Sequence, residues 1–158
     1  MRSLILVTYI ALFPLSAIAD EPLSLKGLLI GTPLNGCPEG TLSEQKTPKG
    51  ETMCSLGPTT LANQQATDHV VVFKNNKISG VMFQLDARGR YANKPVIEAF
   101  RSKYGEPTRK KEHLNSYVWQ QGTLTLSVDG WAGTVLLVDF ATARQTDKEA
   151  AEKNKDDL

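Results

Sequence analysis

The chain is poor in the side chains that most often carry metal or nucleophilic chemistry: its 158 residues include two histidines and two cysteines. A structural or catalytic zinc needs three or four His, Cys or carboxylate ligands brought together. His69 opens a β-branched run and His113 sits in a charged loop, so the histidines do not form a ligand pair in sequence. No metal site is expected. Nucleophilic catalysis by serine or cysteine needs a base beside the nucleophile, normally a histidine oriented by a carboxylate. The sequence has no Gly-x-Ser-x-Gly elbow, and no serine is marked out by its neighbours. A phosphate-cradling glycine loop and a dinucleotide fingerprint are also missing, so no cofactor is expected. Carboxylates are plentiful, and a two-carboxylate glycosidase site depends on spatial separation that sequence does not display. Asp86, Glu98, Glu106, Glu112, Asp129 and Asp139 nevertheless all read as turn residues or solvated charge. No catalytic residue is assigned.

An excess of one charge is lacking too. Lys and Arg number 18 against 17 Asp and Glu. A neutral surface gives no long-range attraction for nucleic acid or anionic lipid, and nucleic acid is not an expected partner. Long apolar runs are short of membrane length. Leu4 to Phe13 is the most apolar stretch, well below the roughly 20 residues a spanning helix needs. It follows Met1 and Arg2, is broken by Pro14, and leads to Ala17-Ile18-Ala19, with small residues at the two positions a signal peptidase reads. The pattern predicts a signal peptide over 1–19, cleaved after Ala19, and hence a periplasmic protein with no stable membrane insertion. No cysteine lies at the expected cut for a lipid anchor.

What remains has the size of a single domain, over 20–140, followed by a charged tail over 141–158 that is either helical or disordered. In an exported chain an even cysteine count reads as a disulfide, so Cys37 and Cys54 are expected to be joined. They flank a stretch rich in Gly, Pro, Thr and Lys with little periodicity, which the disulfide would order.

Regular structure is expected from His69 onward. Val70 to Phe73 is a strand, Asn75-Asn76 supplies the turn residues of a two-residue hairpin, and Ile78 to Leu85 returns. A regular hairpin of that kind places Val70, Val72, Val81 and Phe83 on one face and Phe73, Ile78 and Met82 on the other. Both faces are then apolar, with the disulfide-bearing N-terminal segment expected to cover the second. Lys94-Pro95 opens a helix whose Val96, Ile97, Phe100 and Tyr104 form one stripe, closed by Gly105 and Pro107. Strands follow at Tyr117–Trp119, Thr123–Val128 and Thr134–Phe140. The expected class is α+β: an antiparallel sheet of a hairpin, a helix and a three-stranded meander, with one helix packed on it and a disulfide-stapled N-terminal segment.

Two features suit binding. Arg109, Lys110, Lys111 and His113 form a basic loop close in sequence to Tyr117 and Trp119, and cations beside aromatic anchors suit protein recognition. Trp131 lies between glycines in the turn Asp129-Gly130-Trp131-Ala132-Gly133, where a tryptophan is often exposed.

The run Lys26 to Pro33, the paired cysteines, the hairpin, and Phe100 to Tyr104-Gly105-Glu106-Pro107-Thr108 followed by Trp119 resemble a group of small uncharacterised bacterial periplasmic proteins. More distantly the pattern is similar to β-lactamase inhibitory protein and to small outer-membrane assembly lipoproteins of the SmpA type, whose lipidated cysteine this chain lacks. The resemblance implies a scaffold for protein–protein contact. The expected function is therefore an exported binding or accessory module whose partner is another protein or an envelope component. The alternatives are an envelope hydrolase acting on cell-wall glycan, and an inhibitor or immunity protein against a secreted enzyme.

Overall fold

The Asn75-Asn76 pair forms the expected tight turn. Both residues adopt left-handed backbone (φ 51° and 57°), which asparagine tolerates better than most side chains. The computed structural model describes residues 21–89 and 91–140; the expected signal peptide and the charged tail lie outside the described residues. Around the turn run two long strands, β4 (Gln64–Lys74) and β5 (Lys77–Leu85). Three short strands precede them: β1 (Ser43–Lys46), β2 (Thr52–Ser55) and β3 (Thr59–Leu61). Helix α1 (Lys94–Tyr104) follows, then β6 (Arg109–Lys111), a single 3-10 turn (Glu112–Leu114), β7 (Ser116–Gln121), β8 (Leu124–Asp129) and β9 (Thr134–Asp139). All nine strands belong to one antiparallel sheet in the order β1-β2-β4-β5-β9-β8-β7-β6, with β3 beside the first part of β4.

The α+β expectation is thereby overturned. The described residues are 46% strand and 13% helical, with one α-helix among them, so the fold they form is mostly antiparallel β. Four strands, β1, β2, β3 and β6, and the first half of β4 lie where no strand was expected. Ser43–Lys46 and Arg109–Lys111 are wholly exposed, and β2, β3 and the first half of β4 bury only a few side chains, such as Cys54, Leu61 and Ala66, so no apolar alternation marks them in sequence. Long-range ladder pairing, not local propensity, makes them strands. The disulfide is likewise part of the sheet region. Cys37 bonds to Cys54, which sits on β2 opposite Val71 with no exposed surface.

A bulge corrects the expected faces of the hairpin. Phe73 pairs with Ile78, but Val72 pairs with Gly80, so Ser79 is an extra residue. Every pair beyond it shifts by one, and a one-residue slip exchanges faces. Val71, not Val70 or Val72, therefore sits with Val81 and joins Phe83, whereas Val70 lies opposite Met82.

One sheet face is closed. The connection from β5 to β6 carries α1 across it, and Val96, Ile97 and Phe100 are buried there. Gly105 ends the helix at positive φ (77°, with ψ −164°), a conformation open to glycine, and Arg101 and Lys103 occupy the last turn, where the helix dipole favours cations. Phe100 meets Trp119 edge-on, with ring centroids 5.6 Å apart, and the Trp119 Nε1–H donates to the Gly105 carbonyl at 2.9 Å. The segment after residue 21 covers the same face. Leu23 and Leu25 enter the core, and the Tyr104 hydroxyl donates to the Ser24 carbonyl at 2.8 Å. The cover expected on the second face thus lies on the first, because Leu23 and Leu25 join the cluster that holds Phe83, Leu126 and Leu137.

Candidate functional site

Strand alternation sorts the meander residues between the two faces. Trp119 pairs with Leu126 and that in turn with Leu137, all buried on the helix side. Val118 pairs with Ser127 and that with Leu136, which point the other way and are half-buried. At the β6 end of this second face lies an open groove of about 630 Å³. It is lined by Arg109, Lys110 and Lys111 of β6, Leu114 of the 3-10 turn, Ser116 and Val118 of β7, and Asp129 and Trp131 of the β8–β9 turn.

Each wall has a local cause. Arg109 and Lys111 stand opposite Val118 and Ser116, so alternation brings their side chains to the groove side. Asp129 folds the turn back on itself: its Oδ1 accepts the Trp131 and Ala132 N–H groups, both at 3.0 Å. That holds Trp131 outward, 54% exposed, beside Leu114 at 44%. Beneath the turn, the buried Asn115 amide donates to the carbonyls of Gly89 at 2.8 Å and Ala92 at 3.0 Å. Gly130 packs so closely on this amide that a Cβ there would overlap it.

Of the residues expected to form a binding surface, Arg109, Lys110, Lys111 and Trp131 come together in this groove. The others do not. Trp119 is a core side chain at 2% exposure. Tyr117 lies on the helix side of β7, where the Arg101 guanidinium stands over its ring at 5.4 Å. His113 is exposed in the 3-10 turn and does not line the groove. Adjacent positions in a strand face opposite ways, so the sequence cluster splits across the sheet. Leu114, Ser116 and Val118 were not expected in a binding surface, and Asp129 was read as a turn residue or solvated charge; the alternation of Val118 against Tyr117 and Trp119 is the signal that marks its face.

The electrostatics are one-sided. Lys110 pairs with Glu112 at 3.2 Å, and among the described residues no carboxylate pairs with Arg109 or Lys111. Among the described residues, Asp129 is the only carboxylate lining the groove, and its Oδ1 is engaged by the turn. A second depression of about 460 Å³, between α1 and β7, carries Glu21 and Glu106. These are held by Lys103 at 3.1 Å and Arg101 at 3.6 Å. Glu21 and a hydrogen bond to Tyr104 raise the Lys103 pKa against the opposing effect of burial. His69 is stacked on Phe83 at 4.2 Å, and its Nε2 has no hydrogen-bond partner among the described residues. Burial and the Lys26 charge lower its pKa, against a smaller upward pull from Asp68. Among the described residues, no group of three or more His, Cys, Asp or Glu could hold a metal ion. The groove sets exposed cations beside exposed apolar side chains.

Comparison with known proteins finds no matching family model, no matching curated protein and no matching solved structure.

Proposed function

We propose that this chain is an exported, periplasmic binding module that engages another protein or an envelope component through the groove beside β6. The observation that carries this reading is the exposed Trp131 and Leu114 set next to the unpaired cations Arg109 and Lys111, on the sheet face that α1 leaves open. An aromatic anchor rimmed by cations suits recognition of an acidic, partly apolar surface. The groove's charge is ill suited to glycan hydrolysis, because that chemistry needs two carboxylates across a substrate and Asp129 stands alone there. The signal-like 1–19 segment supports the compartment. An inhibitor of a secreted enzyme is one form such a contact role takes.

Photo-crosslinking in cells separates this surface from the rest. A photoreactive phenylalanine analogue at position 131 is expected to trap a discrete adduct, and the same group at position 44, on the opposite sheet edge, is expected to trap none. Equal crosslinking at both positions, or none at 131, contradicts the reading.

A further inference from the structure

We infer that the groove's partner presents an extended acidic segment that adds to β6 as a further strand; this rests on the groove reading above and names its ligand. β6 terminates the sheet. It pairs with β7 on one side, and no described strand lies on the other. All three of its residues are exposed. Its outer N–H and C=O groups therefore form a short open row, the template on which an extended peptide docks.

The side chains along that row specify what docks. Arg109 and Lys111 project to the groove side about 7 Å apart, the repeat of alternate residues in a strand. Carboxylates at alternate positions of an added strand share that repeat and lie opposite the two cations. Next along the same side come Leu114 and Trp131, at the Lys111 end, because Lys111 pairs with Ser116 and Ser116 with Asp129. The matching segment thus carries two acids and then one large apolar residue at alternate positions. Lys110, opposite Tyr117, reaches the groove's edge but is held by Glu112. The same cations disfavour self-association at this edge, since like charges directly opposite one another destabilise a strand pair. Of the other strands with a single described partner, β1 carries the mixed sequence Ser43-Glu44-Gln45-Lys46 and β3 the uncharged Thr59-Thr60-Leu61, and neither lines the groove. The β6 edge is coded against itself and for an acidic strand.

The probes are a fluorescent peptide reading Thr-Glu-Thr-Glu-Thr-Leu-Thr and its reversed sequence, which cover both strand directions, titrated against the purified full chain. One direction is expected to bind, and replacing its glutamates with lysine is expected to weaken it by about tenfold or more. Arg109→Glu with Lys111→Glu, both on an exposed strand, is expected to reverse that preference. Backbone N-methylation sharpens the assignment without altering the protein. Methylating one alternate set of peptide residues is expected to abolish binding, and methylating the other set to leave it intact, because only one set faces β6. If both methylated peptides bind like the parent, strand addition is wrong although the groove can still be the contact site. If glutamine peptides bind as tightly as glutamate ones, or soluble cell-wall glycan binds in preference to both, the acidic-strand ligand is wrong. If neither acidic direction binds while crosslinking at position 131 persists, the inference fails and the groove reading stands.

Discussion

The two faces of the sheet are built from the same strands yet obey different rules. On the helix side, Phe83, Leu85, Leu126 and Leu137 have no exposed surface, and α1 with Leu23 and Leu25 closes over them. On the other side, Val118, Leu136 and Met82 remain half-buried, and the face runs out into a cationic groove. Adjacent residues such as Leu136 and Leu137 therefore differ in role, although nothing in their side chains distinguishes them. The helix decides which face becomes core and which is available for contact.

The largest effect that can break this comparison comes from those two leucines. Leu137→Ala is expected to cost about 3–5 kcal/mol, because it empties a closed core, whereas Leu136→Ala costs about 1 kcal/mol. Urea unfolding of both variants checks this; equal losses would mean that the second face is covered as tightly as the first. Next comes the disulfide. Cys37→Ser with Cys54→Ser is expected to lower stability by about 3 kcal/mol through the 17-residue separation it closes. The groove's shape depends on Asn115, so Asn115→Ala is expected to cost about 2 kcal/mol by orphaning the Gly89 and Ala92 carbonyls. It should also shift the emission of Trp131, read by fluorescence at native conditions, since Gly130 rests on the same amide.

The smallest expected effect is on pH dependence. His69 is held below its ordinary pKa of 6.5 by burial and by Lys26, with Asp68 opposing. The unfolded chain therefore binds the proton more readily than the folded one. Stability is full above about pH 6.5 and declines as the pH falls below it toward the folded-state pKa. His69→Phe is expected to flatten that part of the stability curve, measured by thermal unfolding across mildly acidic buffers. An unchanged slope would show that His69 is not the group responsible.

Much of the covered face was legible in the sequence. The Asn75-Asn76 turn, the stripe Val96, Ile97, Phe100, the Gly105 cap and the alternation of Leu124 to Val128 each rest on short-range signals, and each is present. The bulge at Ser79 was not legible, and it inverted the expected partners of Val70 and Val72. β1 and β6 were hidden for a related reason: their residues are exposed on an outer strand, where no burial pattern is imposed on the sequence. The groove was half legible. Arg109, Lys111 and Trp131 stood out by residue type, but assigning them to one face, with Tyr117 and Trp119 on the other, requires the register of β6 on β7.

The chain's two tryptophans report on the two faces separately, which makes acrylamide quenching of their emission the most direct test of this one-sided architecture. Trp131→Phe should remove the readily quenched component and leave a shielded emission from Trp119, whose side chain is buried and whose Nε1–H is bonded to the Gly105 carbonyl. Emission from that variant that quenches as readily as the wild type's would contradict the account.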